Sequence, residues 1–263
     1  MSSIENLSDS ELDQLKNAKR KLENPAFLME LSNIVGKPME RIFGYLPESF
    51  QENVSKATRS VLLKSLNMLV YNMKDKNIVK PNNLLHRILV SGTGAAGGFF
   101  GLAALAVELP VTTAIMLRSI ADIARSKGFD LNDMNTKLSC LEVFALGGNS
   151  KSDDFSDSAY YVTRGALAKA VAEANKYLLE KGVIKESAPA IVSFISKIAS
   201  RFGIIVSEEA AAKSVPVIGS VSGSAINLVF MTHFQKMADG HFTVLLLENK
   251  YGKEKIMDLY KSI

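Results

Sequence analysis

The sequence has few of the residue types that most enzymes use for chemistry. Its 263 residues include one cysteine, three histidines and no tryptophan. An internal disulfide is therefore excluded, and a histidine-rich metal site is poorly supplied. The sequence contains no His-Glu-x-x-His, Gly-x-Ser-x-Gly, P-loop or Cys-x-x-Cys motif. These absences favour a protein that acts by binding over an enzyme, and we predict no cofactor.

A strong charge of one sign is also lacking. The chain has 31 Lys and Arg residues against 27 Asp and Glu residues, which gives a net charge of +4 scattered along the sequence. An excess this diffuse does not predict a nucleic-acid partner. The stretch after Met1 is polar and has no apolar core of the kind that a secretory signal needs. With the single cysteine, which suits a reducing compartment, this pattern predicts a cytoplasmic protein.

No run of residues alternates at the period of a β-strand, whereas apolar residues recur every three or four positions almost throughout. We therefore predict an all-α multi-helix bundle. Two helices are expected at residues 187–202 and 207–213, and the acidic, serine-rich residues 150–158 are expected to form a loop. The domain prediction is an N-terminal helical region at 1–80 and a helical core at 81–263, or one continuous domain over 15–263.

Two apolar segments rich in glycine stand out. Residues 88–107 contain five glycines and no charge, and residues 214–232 contain two glycines and no charge. Twenty apolar residues match the roughly 30 Å core of a bilayer, so the first segment fits a buried helix, a membrane span or a reversible membrane contact. Glycines four residues apart leave one helix face without side chains, which lets a neighbouring helix approach closely. We predict that the two segments pack centrally and against each other through Gly94, Gly97, Gly98, Gly101, Gly219 and Gly223.

A nucleotide site is the alternative interpretation of the first segment. From Gly92 to Gly97 the sequence GTGAAG satisfies the Gly-x-Gly-x-x-Gly pattern that holds a pyrophosphate after a strand. The pattern begins ninety residues into a helical chain, and no alternating strands and helices follow it. A nucleotide-dependent enzyme is therefore kept only as the second hypothesis.

The tripeptide Glu108-Leu109-Pro110 follows the first segment directly. Proline disfavours helix in the preceding residue, so we expect a break or kink here and a new helix from Leu109 to Ser126. Glu108 then either caps that helix, pairs with a cation such as Arg118, or holds a bound ion, with the hydroxyl of Thr112 nearby.

A metal site is a further alternative that would combine Glu108 with His233 and His241. The two histidines are eight residues apart, so they would need a bend near Gly240 to share one ion. We predict no metal at this position and ordinary, partly buried histidines.

Several segments together match the pattern of a known family: the glycine segment leading into ELPVTTAIMLRSIADIARSKGFD, then CLEVFALGG, VPVIGSVSGSAINLVFMTHFQKMADGHF and LLLENKYG. The most specific residues are Glu108, Leu109, Pro110, Arg118, Gly128, Pro216, Gly219, Gly223, Asn227, Ala238 and Phe242. On these residues the chain resembles the EcsC family of bacterial proteins from about residue 15 to its end. The resemblance implies a helical protein of poorly defined function. The founding member is encoded beside the subunits of an ABC transporter, and many relatives have Asp where this chain has Glu108.

The combined prediction is an accessory protein linked to membranes or transport that works by docking its glycine-rich core against lipid or an integral-membrane partner. Glu108, Pro110, Thr112, Arg118 and Asn227 are the predicted binding residues. We expect the protein at the inner face of the cell membrane as a peripheral component. A membrane-perturbing effector is the third hypothesis.

Overall fold

The structure is a computed structural model that describes residues 7–23, 26–36, 49–72, 86–87, 102–147, 158–214 and 219–263. Nine α-helices have their bounds within these ranges, and the same ranges contain no strand. In chain order they are α1 (Asp9–Glu23), α2 (Ala26–Val35), α3 (Ser49–Asn67), α4 (Leu102–Ser126), α5 (Met134–Glu142), α6 (Ala159–Lys181), α7 (Pro189–Ser214), α8 (Gly219–Tyr251) and α9 (Lys253–Ser262). A π-helical turn, Met68–Asn72, extends α3, and a 3-10 turn, Val143–Ala145, extends α5. The predicted all-α multi-helix bundle is confirmed.

The helix ends follow ordinary capping chemistry. Before α1, the backbone N–H of Ser8 donates to Oε2 of Glu11 at 3.0 Å, and the N–H of Glu11 donates to Oγ of Ser8 at 3.3 Å. This reciprocal pair is a capping box. Asp133 caps α5, since its carboxylate accepts hydrogen bonds from two backbone N–H groups of the first turn. Helix α6 ends at Gly182, whose φ of +65° lies in the left-handed region that glycine adopts without strain.

Helix α8 is the centre of the bundle. Its 33 residues span about 50 Å at the helical rise of 1.5 Å per residue. It packs against α1, α2, α4, α7 and α9, while α3 and α6 reach the core mainly through α7. The described part of the predicted N-terminal region therefore lies directly on helices from the predicted core region.

Two features of the packing explain why these helices sit so close together. A Cβ atom on Gly240 would lie 2.7 Å from Cγ of Leu22, so the glycine is what lets α1 cross α8 at this distance. Nearer the start of α8, two of its aromatic rings and two from neighbouring elements form a buried cluster with centroid separations of 4.8 to 6.2 Å. The cluster ties α7 and α8 to the turn after α5, and its members are Phe144, Phe202, Phe230 and Phe234.

The two glycine-rich segments are only partly within the described residues. Residues 88–101, with Gly94, Gly97, Gly98 and Gly101, lie outside them, and so do residues 215–218. Residues 102–107 form the first turns of α4, and residues 219–232 form the first half of α8, which begins at Gly219 and buries Gly223. Because α4 packs on α8, the described ends of the two segments lie on neighbouring helices. Close packing of the glycine faces themselves stays a prediction.

Two predicted helix boundaries are wrong. Helix α4 begins at Leu102 and runs without interruption through Pro110, so there is no break before Leu109. In the turn around the proline, Oγ1 of Thr112 donates hydrogen bonds to the carbonyl oxygens of Glu108 at 3.0 Å and Leu109 at 3.2 Å. Likewise, the two helices predicted at 187–202 and 207–213 are one helix, α7, because Gly203 keeps a helical conformation within it.

Candidate functional site

Glu108 is buried inside α4, and its carboxylate makes two strong hydrogen bonds. Its Oε1 accepts a hydrogen bond from Nζ of Lys213 at 2.8 Å and another from Nδ2 of Asn227 at 2.6 Å. Lys213 lies in the last turn of α7, and Asn227 lies two turns into α8. One carboxylate oxygen therefore joins three helices. Of the alternatives for Glu108, the helix cap is wrong, because the residue lies inside α4, and the pairing with a cation is the one that the structure shows.

A second carboxylate shares the same lysine. Nζ of Lys213 donates to Oε1 of Glu209 at 2.8 Å, across the i,i+4 spacing of α7. The side chains of Glu108, Glu209 and Lys213 are exposed by only 7%, 2% and 10%. We call these three residues and Asn227 the charge cluster. It contains two carboxylates and one ammonium group, so it retains one excess negative charge when all three groups are ionised.

The pKa directions in the charge cluster follow from burial and proximity. Burial raises the pKa of the Glu209 carboxyl, and the attraction of Lys213 offsets only part of this effect. Burial acts in the opposite direction on Lys213, but the two carboxylates outweigh it and hold the pKa of the ammonium above its ordinary value. On the preceding residue of α7, burial raises the pKa of Glu208 to about 7. Lys213 therefore stays charged. Its charge is what permits the carboxylates of Glu108 and Glu209 to be buried.

The other predicted binding residues lie around the charge cluster without all joining it. Thr112 is buried and bonds to backbone carbonyls, and Pro110 is half-buried. Arg118 is exposed, ten residues beyond Glu108 and about 15 Å farther along α4. Glu108 thus pairs with Lys213 where the sequence predicted Arg118.

Apolar side chains reach the surface beside the charge cluster. Val111, three residues after Glu108, is 46% exposed, and Leu228, the neighbour of Asn227, is 38% exposed. On α4 the exposed face continues at i+4 and i+7 with half-buried Ile115 and exposed Arg118. We call Val111, Ile115 and Leu228 the apolar surface.

The histidines occupy separate positions in the core. His233 and His241 are both on α8, about 12 Å apart along its axis. Burial lowers the pKa of His233 to about 4 and that of His241 well below its ordinary value, so both imidazoles are neutral near pH 7. Nδ1 of His241 is 2.9 Å from the hydroxyl of Tyr160. In the part of the chain that the structure describes, no three His, Cys, Asp or Glu side chains cluster as metal ligands would.

A second buried ion pair was not predicted from the sequence. Arg164 of α6 forms a two-pronged contact with Glu248 of α8, with N···O distances of 2.7 and 2.9 Å. The hydroxyl of Tyr161 also donates to Glu248, at 2.9 Å. Arg164 and Tyr161 are 84 and 87 positions from Glu248 and match no motif with it, so a single sequence offers no signal that would pair them.

One described helix has the length and composition of a membrane span. It covers Pro189–Lys213 with a mean hydropathy of 1.6, and 44% of its apolar window is buried in the protein. A single such helix is weak evidence for spanning, because the core helix of a soluble protein has the same properties.

The described residues form an all-α bundle around the buried Glu108 site, and comparison with known families gives the family. The family model described as the EcsC protein family matches residues 9–247, which is most of the chain. The chain belongs to the EcsC protein family. Comparison with curated proteins and with solved structures gave no match.

Proposed function

We propose that this chain is a peripheral membrane-binding accessory protein that docks on an anionic lipid surface through the apolar surface on α4 and α8. The observation that carries the proposal is the exposure of Val111 and Leu228 beside the buried charge cluster. Contiguous exposed apolar patches mark contact sites on proteins, and in this proposal the exposed side chains on the two helices form one such patch.

The charge cluster supports this proposal by fixing the two helices that present the apolar surface. Glu108 lies within one turn of Val111, and Asn227 is adjacent to Leu228, so their 2.6 Å hydrogen bond anchors both helices at this point. A surface held in this way loses little conformational entropy when it binds.

The charge pattern fits a lipid surface. On α4, Arg118 follows the apolar residues on the same face and is exposed. A cation at the edge of an inserted apolar face gains about 1 kcal/mol at an anionic bilayer. The net charge of +4 adds a weaker, salt-sensitive attraction.

Vesicle flotation with and without anionic lipid tests the proposal. Val111→Asp and Leu228→Asp should each weaken binding about tenfold or more, because burying one such side chain contributes about 1.5–3 kcal/mol. Leu246→Asp is the matched control for Leu228, since Leu246 is on the same helix and is 40% exposed. Val162→Asp, at 41% exposure on α6, is the control for Val111.

The outcomes separate this proposal from its alternatives. Failure to float with any vesicle, or equal losses in the test and control variants, overturns lipid docking. Binding to native membranes but not to protein-free vesicles would favour an integral-membrane partner such as an ABC transporter. Leakage of vesicle contents would favour a membrane-perturbing effector.

The enzyme hypothesis rests on residues 92–97, which lie outside the described residues. A thermal-shift screen with dinucleotides and divalent metals tests it, because a ligand that binds only the native state raises the melting temperature.

A further inference from the structure

A polar cleft lies along α6, apart from the charge cluster and the apolar surface. Its volume is about 610 Å³, which is within the roughly 300–1,000 Å³ range of small-molecule pockets. The cleft is bounded by α5, by one face of α6 and by the first residue of α9. The residues that line the cleft include Glu142, Arg164, Ala168, Ala172, Asn175 and Lys253.

Glu142 is the one lining carboxyl group that is buried. The residue is only 8% exposed, its carboxylate accepts a hydrogen bond from the side chain of Ser139, and none of the salt bridges among the described residues includes it. Arg164 is nearby, but both prongs of its guanidinium contact Glu248, so its charge is already matched. A buried carboxylate without a contacting cation is costly, and a ligand cation would relieve that cost.

Other groups in the cleft define the rest of the ligand. Oδ1 of Asn175 is buried and accepts no hydrogen bond from the described part of the chain, so an acceptor remains for a donor group. Lys253 is exposed at the mouth of the cleft, where it can meet an anion. Ala168 and Ala172 also line the cleft, and their small side chains leave room for methylene groups.

We propose that this cleft binds a small zwitterion in which a primary ammonium is joined to a carboxylate or phosphate by a short aliphatic spacer. The ammonium contacts Glu142 and the oxyanion contacts Lys253. Free amino acids and the phosphoethanolamine headgroup of a lipid share this chemistry.

The titration of Glu142 supports the assignment. Burial raises its pKa to about 7, against the opposing effects of Arg164, Ser139 and Lys253, while Glu248 raises it further. The carboxyl group is therefore partly protonated near neutrality. Zwitterion affinity is expected to rise as the pH increases through 7, because only the carboxylate attracts the ammonium.

Isothermal titration and thermal shift with a small panel test the proposal. The panel holds free amino acids, O-phosphoethanolamine, the matching amines without an anion, the matching acids without an amine, and phosphatidylethanolamine vesicles. The expected result is binding of the zwitterions and at least tenfold weaker binding of both single-charge analogues. Binding of soluble zwitterions identifies a metabolite site, whereas binding that is confined to vesicles and is weakened by Glu142→Gln or Lys253→Met identifies a lipid headgroup site.

Two variants and two matched controls complete the experiment. Glu142→Gln and Lys253→Met should each weaken zwitterion binding about tenfold or more. Glu173→Gln and Lys169→Met, which are exposed on α6 outside the cleft, should leave it unchanged. Because Lys253 is exposed, its variant tests the site even if Glu142→Gln does not fold.

The proposal is overturned if no panel member binds, if the acids alone bind as well as the zwitterions, or if the control variants lose as much affinity as the test variants. Vesicle flotation through the apolar surface is a separate measurement. Loss of one activity with retention of the other therefore shows which proposal has failed.

Discussion

Replacing Lys213 by methionine tests the central electrostatic argument. The substitution keeps most of the apolar stem and removes the ammonium group that contacts Glu108 and Glu209, each at 2.8 Å. Both carboxylates would then be buried without their cation. Removing one partner of a buried ion pair costs about 3–5 kcal/mol, mainly because the remaining charge is left desolvated. We expect a loss of this size in the free energy of unfolding at neutral pH.

The pH dependence provides a second and more specific readout. Burial raises the pKa of Glu209 above its ordinary value of 4.5, and without the ammonium the opposing attraction of Lys213 is lost, so this pKa rises further. Groups with a raised pKa bind more protons when folded, so the variant loses stability as the pH rises from the unfolded pKa to the folded one. The slope is about 1.4 kcal/mol per pH unit for each proton involved. The difference between wild type and variant should therefore be larger near pH 8 than near pH 4.5, the ordinary pKa of the carboxyl group.

Urea unfolding at the two pH values measures this difference. Lys176→Met is the control, because Lys176 is 77% exposed and 3.9 Å from Glu180, and its loss should be within about 0.5 kcal/mol. Adding Glu209→Gln to Lys213→Met should recover part of the stability, since one of the two stranded charges is gone. A Lys213→Met variant as stable as Lys176→Met, or equally destabilised at both pH values, would show that the ammonium group does not stabilise the two buried carboxylates.

Three other substitutions have outcomes that the structure determines, each measurable by urea or thermal unfolding. Asn227→Leu should cost about 1–3 kcal/mol, because a buried carboxylate loses its 2.6 Å hydrogen bond, and a neutral effect would contradict this. Gly147→Ala should cost clearly more than Gly182→Ala: both have positive φ, but only at Gly147 would the new Cβ overlap buried side chains, at 2.5 Å. Gly240→Ala should destabilise by forcing α1 away from α8, whereas Gly165→Ala should stabilise by up to about 1 kcal/mol, because nothing lies within 4 Å of its Cβ position. Equal effects within either glycine pair would show that steric overlap is not the cause.

The sequence predicts what depends on local spacing and fails where distant residues meet. Helical periodicity was enough for the all-α bundle, and a carboxylate between apolar runs was enough to single out Glu108. Asn227 was also among the predicted binding residues, and its Nδ2 lies 2.6 Å from Oε1 of Glu108. Lys213 was missed because it is 105 positions from Glu108, and no pattern in one sequence reports that separation. The sequence does show that Lys213 is four residues after Glu209. This spacing is also that of an ordinary ion pair on a helix surface, so it did not indicate a buried site.

The wrong helix boundaries have a common physical cause. Proline and glycine lower helix propensity locally, the break predicted before Pro110 followed that preference, and the gap left between residues 202 and 207 contains Gly203. Both residues lie inside long helices whose flanking turns are buried. Tertiary packing of those turns outweighs a local cost of about 1 kcal/mol for glycine and about 3 kcal/mol for proline. The hydroxyl of Thr112 adds hydrogen bonds in the turn that contains the proline.

The crossing of α1 over α8 has a consequence for how the protein is made. Lys21 of α1 contacts Asp239 of α8, which is synthesised 218 residues later. At translation rates of about 5–20 residues per second, the first helix waits roughly ten to forty seconds for its docking partner. During that interval Leu15, Ala18 and Leu22 have no α8 to cover them. The nascent chain is thus expected to need a chaperone or the ribosome surface until its last helices emerge.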